Sequence, residues 1–282
     1  MHYLQIGDDR VPAVGQGTWK MGVEGQDHRA EADAVRYGID LGLTLIDTAE
    51  AYAQGGSERV VAQAIQGLRD RVFLVTKVAP SNAGRQSFRF SLTESLKRLQ
   101  TDYVDLYLLH WPSKTVPLEE TLEAMATARR DGLIRYIGVS NFPKEQLDEA
   151  QKMLGDLPIA ADQVEYQLTN RRAETALIPY AARCGTAIMA YSPVKDLFDL
   201  GEDHPGKLTL KQIAEAHRVS SETVALAYLI GSGPVVAIPK AVQRAHIEAN
   251  RQALDLELTQ DERRALQEAF PGPQEDLPFV AL

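Results

Sequence analysis

Residues 45–52 read Leu-Ile-Asp-Thr-Ala-Glu-Ala-Tyr, and the rest of the chain is best read outward from them. An apolar pair runs into Asp47, and Tyr52 follows in a short polar turn. Leu-Ile-Asp has the form of a buried strand whose end carries a carboxylate out of the core into a cleft. A single Asp after a strand is more often a helix N-cap or a turn residue. Two later stretches shift that balance. Phe-Leu-Val-Thr-Lys ends in Lys77, and Asp-Leu-Tyr-Leu-Leu-His-Trp-Pro carries His110. Each sets one ionisable residue at the C-terminal end of an apolar run of strand length.

Short apolar runs alternate with helical patterns along the whole chain. A hairpin is predicted at the start: Leu4 to Ile6, a turn at Gly7-Asp8-Asp9, then Val11 onward. Strands are predicted at Val14–Gly17, Leu45–Asp47, Phe73–Lys77, Leu106–His110, Tyr136–Ser140, Ala160–Val164, Ala187–Tyr191 and Val235–Pro239. Most are too apolar for a sheet with one wet face, as expected of buried parallel strands. Between them, Val61, Ala64, Ile65 and Leu68 share a helical face, as do Leu92, Leu96 and Leu99, and Leu118, Leu122 and Met125. Gly132 and Gly185 stand where helix C-caps belong, and Thr259 with Glu262 forms the signature of a capping box. Eight strand–helix alternations without a change of composition predict an α/β fold: one (β/α)8 TIM barrel over residues 1–282, preceded by a β-hairpin. An open doubly wound sheet is the alternative.

The totals narrow the function. At 282 residues, with 44% hydrophobic and 24% charged residues, the chain suits one soluble barrel. A lone cysteine, Cys184, excludes an intrachain disulfide and fits a reducing, cytoplasmic setting. It falls within a helical pattern and is expected in the core. The first residues show neither the basic nor the long apolar region of a secretory signal, and no apolar run reaches membrane-spanning length. A net charge of −9 argues against nucleic acid, so a small molecule is the expected partner. His2, His28, His204 and His217 lack metal-ligand spacing, and no metal site is expected. Gly15-Gln16-Gly17 begins like a dinucleotide fingerprint, but Lys20 stands where the third glycine belongs; Gly55-Gly56 lacks the lysine of a phosphate loop and is expected to be a turn before a helix.

Barrel enzymes work at the C-terminal ends of their strands. Asp47, Lys77, His110, Ser140, Gln163, Tyr191 and Lys240 all fall at or just beyond those ends. Tyrosine is a weak acid, with an ordinary pKa near ~10. A nearby ammonium stabilises its phenolate, and a carboxylate can hold that ammonium charged and in place. Asp47, Tyr52 and Lys77 supply this set, and His110 adds a donor able to orient a carbonyl oxygen. Singly, Lys77 fits a solvent-facing strand end and His110 a satisfied core histidine. On three adjacent predicted strands they point together to catalysis.

With these residues in place the chain resembles the aldo-keto reductases from near Leu4 to about Leu266. The resemblance rests on eight motifs in order: GQGTW (15–19), LIDTAEAY (45–52), VTK (75–77), LLHWP (108–112), GVSNF (138–142), DQVEYQ (162–167), AYSP (190–193) and IPK (238–240). Within the family it looks most similar to bacterial members that reduce methylglyoxal and related small aldehydes. The resemblance implies a catalytic tetrad of Asp47, Tyr52, Lys77 and His110. In such enzymes the 4-pro-R hydride of NADPH passes to the carbonyl carbon while the tyrosine protonates the oxygen. It further implies that Ser140, Asn141 and Gln163 hold the nicotinamide carboxamide and that Tyr191 stacks on the ring. Ser192 and the backbone through Val194 meet the pyrophosphate, with Lys195 a further positive group. The resemblance also places Lys240 against the adenosine 2′-phosphate and Asn250 at the adenine edge.

The chain departs from the family pattern at several points. Ala241 replaces a hydroxyl residue, His246 stands in place of an arginine, and Ala249 in place of an acidic residue. Fewer phosphate contacts imply weaker selection: NADPH preferred, NADH tolerated. Asp162 replaces an asparagine, which alters hydrogen bonding under the cofactor. Trp19 and Trp111 are expected to wall the substrate pocket, with Phe142 and residues 80–88 as additions, although barrel-rim packing would also explain them. Residues 194–206 have the composition of a loop that closes over cofactor, or of a passive connection. The tail offers Leu277, Phe279 and Val280 for substrate contact, implying an open pocket for small carbonyls. The family default is a monomer. Two other functions stay in play: a non-catalytic NADPH-binding sensor or regulatory subunit, and a Schiff-base aldolase using Lys77.

Overall fold

A computed structural model describes residues 1–273 and 275. The chain runs β1 (Tyr3–Ile6), β2 (Asp9–Pro12), β3 (Gln16–Gly17), α1 (His28–Asp40), β4 (Leu45–Asp47), α2 (Gly56–Ala64), β5 (Phe73–Val78), α3 (Arg85–Leu99) and β6 (Val104–Leu109). It continues α4 (Leu118–Arg130), β7 (Ile134–Ser140), α5 (Lys144–Leu154), β8 (Ile159–Glu165), α6 (Leu177–Cys184) and β9 (Ala187–Tyr191). The last elements are α7 (Pro205–His217), α8 (Ser221–Ile230), β10 (Val235–Ala237), α9 (Arg244–Gln252) and α10 (Gln260–Ala269).

Strands β3 to β10 form an eight-stranded sheet in sequential order, each pairing parallel with the next. A parallel bridge between Val14 and Ala237 closes the two edges, so the sheet is a (β/α)8 barrel. Closure leaves no open edge to pair with another chain.

Alternation along each strand then sorts every residue to one of two cores. Leu45, Val75, Leu106, Leu108, Ala161 and Met189 fill the barrel interior. Their neighbours Ile46, Leu74, Tyr107, Val164 and Ile188 face outward into the larger core beneath the helices. The predicted faces of α3 and α4 lie there: Leu92, Leu96, Leu99, Leu122 and Met125 are all buried. Truncating such a leucine to alanine costs roughly 2–5 kcal/mol.

The hairpin β1–β2 plugs the N-terminal end of the barrel. Ile6 and Val11 join the interior cluster. Gly7, at φ +59°, packs against the Tyr136 ring, where an added Cβ would come within 2.1 Å of Cε1. With one end plugged, only the C-terminal end can admit a ligand.

The predicted strands match within two residues, and His110 lies one residue past β6. Thr259 and Glu262 form the reciprocal capping box of α10, and Gly132 and Gly185 take left-handed backbone after α4 and α6. One expectation fails: Cys184 is the last residue of α6 and is exposed, because the helix turns that position away from the sheet. Leu277, Phe279 and Val280 lie outside the described residues. Among the described residues no helix is long and apolar enough to cross a membrane.

Candidate active site

The same alternation that packs the interior delivers the polar residues. Two residues beyond Leu45, Val75, Leu106-Leu108, Gly138, Ala161 and Met189 on the inner face come Asp47, Lys77, His110, Ser140, Gln163 and Tyr191. They line one cavity of about 360 Å³ at the C-terminal mouth, apart from Lys77, which lies wholly buried beneath its floor. Trp19, Trp111, Ser192, Lys195 and Lys240 complete its walls. Gly17, Ala51, Pro193 and Ile238 also line it; they fall within the sequence motifs but were given no site role, since none bears a reactive group. A larger depression of about 900 Å³ lies over α3 and α4. Of its four arginines, Arg85 and Arg89 pair with Glu123 and Asp131, Arg129 donates to the Arg135 carbonyl and Arg130 to the Thr127 hydroxyl, and it gathers no reactive set.

Lys77 organises the centre. Its Nζ donates to Asp47 Oδ2 at 2.8 Å and to the Thr48 carbonyl at 2.8 Å, and lies 3.3 Å from the Tyr52 hydroxyl. Burial opposes the ammonium, yet the carboxylate of Asp47 and the nearby phenol outweigh it, and the lysine pKa is raised. Burial also raises the Tyr52 pKa, and the attraction of Lys77 for the phenolate only partly offsets it. The sequence-based expectation stressed the lysine alone; the net effect keeps the phenol protonated at neutral pH.

His110 meets the Tyr52 ring edge-on, with centroids 5.6 Å apart and planes at 72°. Burial, reinforced by the positive charge of Lys77, lowers its pKa from 6.5 to about 3. The imidazole is therefore neutral across the physiological range, with one N–H to donate.

A second network adjoins the first. Gln163 Nε2 donates to Asp47 Oδ1 at 2.7 Å, and Ser140 Oγ donates to the Gln163 carbonyl at 2.8 Å. Asn141 Nδ2 donates to Ser140 Oγ at 2.9 Å, and its Oδ1 accepts from the Tyr191 hydroxyl at 3.0 Å. Asn141 holds left-handed backbone at φ 64°, which asparagine tolerates better than most residues. The amides of Asn141 and Gln163 and the Ser140 hydroxyl thus converge within reach of the tetrad.

Further out, Lys240 is exposed and has no ion-pair partner among the described residues. His246 is exposed and Asn250 buried on α9, and neither they nor Val194 lines the cavity. Residues 195–199 form a short helical turn rather than an open loop. Gln167 fastens it, donating to Asp196 Oδ2 at 2.8 Å and accepting from the Asp196 amide at 3.1 Å.

Phe142 corrects an expectation. It lies past the end of β7, fully buried in the outer core, and does not line the cavity. Asp162 likewise faces outward, next to inward-facing Gln163. It is wholly buried, with Oδ1 3.5 Å from the Phe142 amide and Oδ2 without a partner among the described residues. Burial raises its pKa well above the ordinary value. Among the described residues no cluster of His, Cys, Asp and Glu could hold a metal ion.

A closed parallel barrel with a Lys–Asp–Tyr–His set at its open end defines a class of barrel oxidoreductases. The chain belongs to the aldo/keto reductase family, whose model matches residues 13–270. It is 44% identical over 268 residues to the methylglyoxal reductase YeaE of Escherichia coli (strain K12), covering 95% of this chain and 94% of that protein. It is 32% identical over 263 residues to the methylglyoxal reductase DkgB of Escherichia coli O157:H7, covering 91% and 92%. An aldo/keto reductase from Klebsiella pneumoniae, crystallised with NADP and acetate, superposes with a TM-score of 0.93 at 40% identity, over 99% of each chain.

Proposed function

We propose that this protein is an NADP(H)-dependent reductase of small aldehydes and ketones, methylglyoxal-type carbonyls foremost, with Tyr52 as the general acid. One observation carries the chemistry: the Lys77 ammonium is held between the Asp47 carboxylate and the Tyr52 hydroxyl, at 2.8 and 3.3 Å. The cofactor assignment draws on the related Klebsiella pneumoniae structure with NADP and on the chain's own donor set. A primary amide needs donors and acceptors together, and Ser140, Asn141 and Gln163 present both at one wall of the cavity. Tyr191 offers a ring face beside them, and Ser192 and Lys195 follow along the same rim, with the Val194 backbone between them and its side chain packed toward the core. Lys240, without an ion-pair partner among the described residues, supplies a positive charge for a phosphate, with His246 and Asn250 on the adjoining helix. The bound dinucleotide supplies a hydride to the carbonyl carbon.

The chain's residues do the rest. The neutral His110 N–H orients the carbonyl oxygen, and Tyr52 gives its phenolic proton to that oxygen as negative charge develops there. The Tyr O–H bond breaks, the alcohol O–H bond forms, and the phenolate left behind is stabilised by Lys77. Asp47 keeps the lysine charged and fixed. A positioned acid of this kind is worth roughly 10²–10⁴-fold in rate.

The small cavity walled by Trp19 and Trp111 favours compact carbonyls, and two relatives are methylglyoxal reductases. Every residue of this site comes from one barrel, so we treat residues 1–282 as a single functional domain. A Schiff-base aldolase is disfavoured, since a lysine bonded to Asp47 with a raised pKa is a poor nucleophile.

The test is NADPH oxidation with methylglyoxal by the native protein and by Tyr52→Phe. The native protein should turn over, and the variant should lose roughly 10²–10⁴-fold in kcat while still binding NADPH. A Tyr52→Phe enzyme with native kcat would refute the acid assignment. Binding of NADPH without turnover on any of a panel of aldehydes would favour a sensor.

A further inference from the structure

The acid Tyr52 stands on an unusual piece of backbone. Ala53, Gln54 and Gly55 follow it at φ 47°, 53° and 80°, three left-handed residues in succession, two of which carry side chains. Such backbone is disfavoured for L-residues and persists only where its surroundings over-determine it. One such constraint is Arg98, from the last turn of α3. Its stem lies against Gly55 so closely that an added Cβ there would sit 2.4 Å from Arg98 Cδ and 2.5 Å from Nε.

Arg98 is itself held by a buried carboxylate. Its Nε donates to Glu58 Oε2 at 2.5 Å, and Glu58 is wholly buried in the first turn of α2. The other oxygen, Oε1, accepts from Thr76 Oγ1 at 2.7 Å. Thr76 is the outward-facing neighbour of Lys77 on β5. One carboxylate therefore ties together the helix that follows the Tyr52 turn, the strand that carries Lys77 and the arginine that braces Gly55. A buried ion pair is a weak source of stability compared with apolar packing, whereas it constrains geometry well.

Resting on the assignment of Tyr52 as the acid, we propose that Glu58 and Arg98 are positioning residues that hold the 53–55 turn and so set the distance between Tyr52 and Lys77. The titratable groups around Tyr52 are Asp47, Lys77, His110 and Tyr191, and none of them is part of this brace.

The experiment compares the native enzyme, Arg98→Lys, the charge-free double variant Glu58→Gln with Arg98→Met, and Tyr52→Phe. Each is measured for NADPH affinity by fluorescence, kcat with methylglyoxal, and the basic limb of the pH–rate profile. The double variant should bind NADPH as the native protein does and lose about 10- to 100-fold in kcat, the cost of a misplacement of order one ångström. Its basic limb should move to higher pH, because a phenol farther from the Lys77 ammonium is harder to ionise. Arg98→Lys, which keeps a cation on Glu58, should recover most of kcat. If the double variant does not fold, Glu58→Gln alone, which weakens the hold on Arg98 while keeping the side chain's shape, gives the same readouts in the same directions. A folded variant with native kcat and an unmoved basic limb would overturn the proposal. So would a kcat that falls only with the folded fraction, the limb staying in place. Should Tyr52→Phe itself retain native kcat, it is the acid assignment that fails.

Discussion

Acid should weaken this fold through His110, and the size of the effect follows from the site. The ring is partly buried beside the Lys77 ammonium, and its pKa falls from 6.5 to about 3. A base with a depressed folded-state pKa binds fewer protons in the folded than in the unfolded chain. Its contribution is therefore flat above pH ~6.5 and turns against the fold as pH drops from ~6.5 toward ~3. At about pH 5 the unfolded histidine is mostly protonated and the folded one is not, a difference near 1.5 pH units. At about 1.36 kcal/mol per unit this is about 2 kcal/mol, and the limit near pH 3 approaches about 5 kcal/mol. Paired carboxylates also respond to acid, so the informative quantity is the difference between the native protein and His110→Gln. Glutamine keeps an N–H donor and cannot gain a charge, and the remaining histidines are common to both proteins. Urea denaturation at pH 8, 6 and 5 should show the variant gaining on the native protein by about 2 kcal/mol between pH 8 and 5. A difference that stays constant over that range would mean that His110 protonates freely in the folded protein. The claim that burial and Lys77 keep it neutral would then be wrong.

Asp162→Asn should stabilise the protein at pH 8 by about 1–3 kcal/mol, with the gain shrinking toward pH 4. The folded-state pKa of this carboxyl is raised, so its ionisation in the unfolded chain opposes folding as pH rises, and an amide removes that term; thermal melts at the two pH values check it. Lys240→Ala should raise the KM for NADPH by about 10-fold or more while leaving that for NADH nearly unchanged, as expected when one charged contact to a phosphate is lost. Equal effects on both cofactors would place the 2′-phosphate elsewhere.

Much of the barrel was legible because strand periodicity carries two messages at once. The apolar runs at 73–77 and 106–110 announced buried parallel strands, and the polar residue at the end of each marked the mouth. The same alternation explains one misplacement: Asp162 sits beside cavity-lining Gln163 in sequence but on the opposite face, and a one-residue step in a strand is a change of core. Phe142 lies past the end of β7, where the turn after Ser140 breaks the alternation and the ring packs into the outer core. Counting inward from Ala161 would have put Gln163 in the cavity and Asp162 outside it. Cys184 was misjudged for a similar reason: an apolar pattern around a helix end does not say which way the last turn faces. The brace of Glu58 and Arg98 had no sequence signal, since its partners come from α2, β5 and α3 and meet only after the barrel closes.

With Tyr52 as the proposed acid, the site has both to keep a proton and to release it. Burial alone would hold the proton on Tyr52 too firmly to be given up, and an ammonium alone would favour its loss. Here burial is the larger influence and Lys77 the opposing one, so the phenol is protonated at rest and its conjugate base is stabilised once formed. That balance needs a lysine that stays charged although wholly buried, which Asp47 and the Thr48 carbonyl provide at 2.8 Å each. The same ammonium helps to keep His110 neutral, so a second positive charge does not accumulate beside it. Asp47 also accepts from Gln163 at 2.7 Å, a residue assigned above to the nicotinamide carboxamide. Engagement of that amide would redirect the Gln163 donor and leave more of the Asp47 charge to Lys77. On the proposed assignments, Asp47 is the residue through which cofactor binding would act on proton transfer.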